Sequence, residues 1–141
     1  MIKKKKVIIS ITDRHGIDGV SQSAEMTTVG TLSGSGDNYC LEYREQDEEM
    51  KNSVTTLRVE NKRRVLVTRK GDYPTQLVIE KDRRHNCHYS TPAGEMIMGV
   101  FAREITSRMT PGGGELKMNF TIDFNSGMVS VNEMKITVRE A

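Results

Sequence analysis

The chain has 141 residues, with 35% hydrophobic and 28% charged content and a net charge of +2. That length suits one domain spanning residues 1–141 with a single core, since folding at this size hides roughly 70% of the extended chain's surface. Near-balanced charge argues against a nucleic-acid partner. No window reaches the roughly 18 apolar residues of a membrane helix, so no membrane partner is expected either.

Lys3-Lys4-Lys5-Lys6 follows Met1-Ile2, and the apolar stretch behind it, Val7-Ile8-Ile9, is broken by Ser10 and Thr12. A signal peptide needs an unbroken apolar region of about 7–15 residues, so secretion is not supported and a cytoplasmic setting is expected. In that setting Cys40 and Cys87 are free thiols, facing opposite sides of the wall.

From there the hydrophobic period is two. Val7, Ile9 and Ile11 alternate with polar positions, as do Met26, Thr28, Gly30 and Leu32, then Tyr39, Leu41 and Tyr43. Tyr43 to Asn52 has helix-like composition but no apolar stripe, and reads as a strand end followed by a charged loop. Asn61-Lys62 should join Ser53–Glu60 to Arg63–Arg69 as a two-residue hairpin. Breaker clusters follow at Lys70–Pro74, Lys81–Arg84, Thr91–Gly94, Thr110–Gly114 and Asn125–Gly127. The clearest alternation runs from Leu116 through Met118, Phe120 and Ile122 to Phe124.

One wet and one buried face per strand, with connections too short for crossover helices, predicts antiparallel hairpins throughout. So many strands would curl and leave hazardous edges if the sheet stayed open. The expected fold is therefore all-β: an antiparallel up-and-down, lipocalin-like closed barrel of about 8–10 strands, with a two-sheet sandwich second. Gly30 and Gly99 interrupt good strand patterns and are expected to mark bends or bulges.

Six segments in order strengthen this: Glu25–Gly30, Leu41–Glu45, Val65–Gly71, Tyr89–Met96, Gly114–Phe124 and Met134–Val138. Together they resemble the YwiB-like family of small bacterial proteins with a calycin-like β-barrel. The resemblance implies the barrel and a bacterial cytoplasmic setting. It implies no activity and carries no site.

Catalytic signatures are absent: no Gly-x-Ser-x-Gly elbow, phosphate loop or His-Glu-x-x-His helix. Gly112-Gly113-Gly114 lies between strands and reads as a turn. His85 and Cys87 share a face while His88 points away, which is too few ligands for zinc. No metal or cofactor is expected. Met26, Met96, Met98, Met118 and Met134 fall on inward positions, as gap filling or as an adaptable lining for an apolar ligand. Ile8, Val29, Val54, Leu66, Val78, Ile97 and Phe101 fall outward, and would favour a homodimer or partner if they cluster.

Following the alternation to strand ends places Arg69 and Glu45 on the inward face at a barrel mouth. They are expected to converge near Tyr43, Tyr89 and Thr28 above an interior lined by Met26, Met98 and Met118. That rim is either a plain salt bridge or a seat for the head group of a small apolar or amphipathic ligand. The leading functional reading is a non-catalytic small-molecule-binding barrel. The rival is an interaction module with a filled barrel, acting through dimer or partner contacts on its outer strands. An enzyme using the inward carboxylate and tyrosines is the third reading.

Overall fold

The computed structural model describes residues 4–17, 19–45, 52–124 and 129–141. Ten strands follow in order: β1 (Lys5–Ile17), β2 (Val20–Ser35), β3 (Asn38–Arg44), β4 (Val54–Glu60), β5 (Arg64–Lys70), β6 (Thr75–Glu80), β7 (Arg84–Thr91), β8 (Gly94–Thr110), β9 (Gly113–Phe124) and β10 (Val129–Glu140). Each pairs antiparallel with its chain neighbour, and β1 pairs with β10, so the sheet closes into the expected up-and-down barrel. The described residues include no helix long and apolar enough to cross a membrane.

Alternation sets the faces. Val7, Ile9, Leu41, Val65, Leu116, Met118 and Ile136 turn inward into one continuous core and are buried. Of the expected inward methionines, Met118 is buried in that core, Met98 is buried opposite Cys87, and Met26 and Met134 are half-buried against the core. Met96 is 41% exposed, because it stands at the start of β8, at the barrel rim.

The strands differ in length. β1, β2, β8, β9 and β10 run from 12 to 17 residues, whereas β3 to β7 run from 6 to 8. β2 therefore pairs with β1 from Val20 to Leu32 but with β3 only from Gly30 to Ser35. Gly30 sits at this fork. A Cβ there would lie 2.3 Å from the Glu42 carbonyl oxygen and 2.7 Å from Ile9 Cδ1, so the close approach of β2 to β3 requires glycine.

The two ends of the barrel also differ. At the end holding the β2–β3, β4–β5 and β8–β9 turns, Gly36 N–H donates to the Met109 carbonyl at 2.8 Å, folding a hairpin tip onto β8. Beneath it the buried Tyr39 hydroxyl bonds Ser107 Oγ at 2.7 Å, joining β3 to β8 across the interior. This end is closed. The opposite end carries the β1–β2, β5–β6 and β7–β8 turns, and several of its inward positions are polar.

Three local expectations change. The β4–β5 turn has three residues, Asn61 to Arg63, with Asn61 and Lys62 at φ of 54° and 56°, because Glu60 pairs with Arg64. Gly99 is not a bulge; the Arg84 guanidinium lies across it, 2.1 Å from where a Cβ would stand, and its Nε bonds Asp123 Oδ2 at 3.0 Å. The register shift falls instead between Ala102 and Glu104. Val78 is not a plain outward residue, since it packs half-buried against the core. Its ladder is interrupted: β6 and β7 share one register pair, Gln76 with His88, and Val78 N–H donates to Cys87 Sγ at 3.3 Å.

Candidate functional site at the open end

A polar row crosses the inner wall of the open end. Tyr43, Thr55, Arg69 and Thr75 stand directly opposite one another along β3, β4, β5 and β6. Each is the outermost inward position of its strand, where the apolar alternation runs out. Thr55, Arg69 and Thr75 are buried.

Glu45 continues from β3, its N–H bonded to the Ser53 carbonyl at 3.0 Å. Thr55 Oγ1 donates to Glu45 Oε1. Burial, and then the charge of Glu45, push the Tyr43 hydroxyl above its ordinary pKa, against the opposing effect of a hydrogen bond with Thr55.

Arg69 is inward and 9% exposed, as its alternation predicts. Its partners are all neutral. Nε donates to the Tyr73 carbonyl at 2.9 Å, and Nη2 donates to Thr75 Oγ1 at 2.8 Å and to the Ser90 carbonyl at 2.6 Å. The guanidinium lies 5.2 Å from the centre of the Tyr89 ring. Ser90 N–H donates in turn to Thr75 Oγ1 at 3.3 Å. This network ties the β5–β6 turn to the end of β7, across the seam where ladder bonds are few.

Arg69 and Glu45 thus share an end and a face, as expected, but among the described residues no ion pair joins them. Thr55 stands between. The charged loop read beyond Glu45 lies, for residues 46–51, outside the described residues.

Thr28, Tyr43 and Glu45 meet elsewhere. They line one cleft of about 610 Å³ at the fork between β2 and β3, together with Val29, Gly30, Thr31, Glu42, Arg44 and Val54. The cleft is a wide depression, open to solvent on the side of the barrel. The structure therefore sorts the expected site residues into three places: Thr28, Tyr43 and Glu45 in the cleft; Arg69 and Tyr89 in the network; and the methionines of the interior, with Met118 in the core, Met26 at its margin and Met98 buried opposite Cys87.

Sequence reasoning missed Ser53, Thr55 and Thr75. The same extrapolation along Leu57 and Val59 that found Arg69 along Val65 and Val67 would have reached Thr55 and Ser53. It also missed a polar group on β1 and β10. His15 Nδ1 lies 3.7 Å from Asp13 Oδ2, and Asn132 Nδ2 donates to Ser130 Oγ at 3.0 Å. Asp13 Oδ1 is buried without a partner among the described residues, and burial raises the carboxyl's pKa. Near the seam, His85 Nε2 lies 2.8 Å from Glu80 Oε1, which holds the Glu80 carboxyl below its usual range. Both cysteines are free, Cys87 buried inward and Cys40 half-exposed on the outer face.

A family described as a domain of unknown function (DUF1934) matches residues 9–136. The ywiB protein from Bacillus subtilis has the same fold, with a TM-score of 0.87 and 18% identity over 99% of this chain and 95% of that one. No curated protein matches the sequence. A match over residues 9–136 shows that the chain belongs to the DUF1934 family.

Proposed function

We propose that this DUF1934 member is a non-catalytic binding protein that holds a small amphipathic molecule at the cleft between β2 and β3, in a cytoplasmic setting where Cys40 and Cys87 remain thiols. The observation that carries this reading is the convergence of Thr28, Tyr43 and Glu45 on one cleft of about 610 Å³ beside Val29 and Val54. A depression of this volume has room for a small molecule, and its lining mixes Val29 and Val54 with the charged Glu42, Arg44 and Glu45. The polar head sits at Glu45 and Thr28. The apolar tail lies along Val29 and Val54 rather than down the barrel axis, which Met118 fills with the rest of the core. Burial raises the Tyr43 pKa, so its hydroxyl stays protonated and can serve as a neutral hydrogen-bonding group in the cleft.

Native mass spectrometry tests it, with dodecanoate and dodecylamine as added probes. The unmodified protein should carry a bound mass or take up one probe. The Tyr43→Phe, Glu45→Gln double variant should stay folded and lose it. An unmodified protein with neither bound mass nor probe uptake rejects the reading.

A second reading is supported by the packed interior. A filled barrel offers a partner its outer wall and its strand edges, as an interaction module would.

A further inference from the structure

The barrel closes, but its strands are unequal, and two stretches of edge extend past their shorter neighbours. One is on β8 beyond Phe101, where pairing with β7 ends. The other is on β2 from Val20 to Met26, where pairing with β3 has not begun. Such edges invite another strand, and proteins defend them with charges, prolines, bulges or a covering loop.

The β8 edge is defended. It carries Arg103, Glu104 and Arg108, a register shift beside Arg103, and the hairpin tip bonded to Met109. The β2 edge is not. Val20-Ser21-Gln22-Ser23-Ala24-Glu25-Met26 holds one charge and no proline, and the ladder to β1 runs through it without a shift. Among the described residues no strand bonds its other side. Val20 to Glu25 are all exposed, Val20 at 66%.

This segment is complementary to itself. An antiparallel two-fold pairing centred on Ser23 sets Val20 opposite Met26, Ser21 opposite Glu25 and Gln22 opposite Ala24. Every pair then shares a face, as antiparallel opposition requires. Two apolar pairs form, and the two Glu25 carboxylates face serines rather than each other. Centring on Glu25 instead would oppose like charges.

We infer that the β2 edge is a homodimer interface, in which a second copy of this chain continues the sheet through Val20–Met26. The partner is the chain itself because the segment meets its own two-fold image without a charge clash. This surface lies beside the ligand cleft but does not depend on a ligand. It gives the interaction reading a defined place.

Sedimentation velocity across a concentration series, with site-directed cross-linking, tests it. The unmodified protein should show a concentration-dependent dimer. Ser23→Lys, which sets two ammonium groups opposite each other in an exposed position, should weaken association at least about tenfold and leave the circular dichroism unchanged. In a Cys40→Ser background, Ser23→Cys should form an inter-chain disulfide under mild oxidation. Arg14→Cys, one strand inward from Ser23, should not. A monomer at every concentration overturns the inference, as does a dimer that survives Ser23→Lys or cross-links through Arg14→Cys. Because none of these measurements uses a ligand, failure of the cleft reading leaves them unaffected.

Discussion

The two ends of this barrel are built from the same alternating strands and come out as opposites. At the closed end the inward positions are apolar, the one buried hydroxyl pair, Tyr39 with Ser107, is mutually satisfied, and a hairpin tip seals the rim. At the open end the inward positions become Tyr43, Thr55, Arg69, Thr75, Asp13 and Asn132, and two buried side-chain oxygens, on Asp13 and Ser53, lack partners among the described residues. Burial of apolar area stabilises the first region, whereas the second spends inward positions on groups that gain little from burial. Apolar burial is thus concentrated at one end and polar side chains at the other.

The largest test of that division is a pair of truncations. Leu116→Ala, in the closed half, should cost about 3 kcal/mol in urea unfolding, through lost transfer energy and a cavity. Met26→Ala, half-buried near the open end, should cost about 1 kcal/mol, because its neighbours already meet water. Equal costs would erase the distinction.

Arg69→Met should cost about 2 kcal/mol, since it removes the charged donor to the Tyr73 and Ser90 carbonyls and leaves Thr75 Oγ1 only the Ser90 N–H. Amide hydrogen exchange should rise chiefly in β6 and β7. Adding Glu45→Met should restore nothing, because the two charges do not pair; a coupling above about 1 kcal/mol in the double-mutant cycle would show that they do.

Gly30→Ala should cost about 1–2 kcal/mol as the fork is forced apart. Its clearest signature should be weaker probe retention, since Gly30 also lines the cleft.

The smallest effect concerns pH. Burial raises the folded-state pKa of Asp13, so the group opposes folding when ionised, and that penalty fades as pH falls through the raised value toward 3.8. Asp13→Asn should therefore stabilise at pH 7 by no more than about 0.5 kcal/mol, given solvent screening, and by nothing near pH 3. A gain that persists at acid pH would assign the effect to packing instead.

Much of this was legible in the residues. Period two gave the faces, and extrapolation along Val65, Val67 and Arg69 and along Leu41, Tyr43 and Glu45 placed both charges inward at one end. Alternation reports which way a side chain points but not what stands across from it, so the Thr55 between Arg69 and Glu45 stayed hidden. The β6–β7 seam was equally invisible, because Cys87 reads as any small inward residue. Strand overhang depends on where neighbours stop, which no single segment encodes; hence the exposed edge of β2 could not be read from its own residues. Gly99 was correctly singled out for an incorrect reason, since the guanidinium covering it comes from a different strand.

The pairing of β1 with β10 has a kinetic consequence. Val7 meets Glu140 and Ile9 meets Val138, so the final seam of the barrel joins residues separated by nearly the whole chain. Contacts of such long sequence separation demand a large loop-closure entropy before they return any stabilisation, which places folding in the slow, millisecond-to-second regime. During synthesis the first strand must wait for the last. Until it arrives, β1 has a bare edge whose inward side chains are Val7, Ile9 and Ile11, and the lysines at its start supply charge repulsion that opposes pairing of two unfinished chains there.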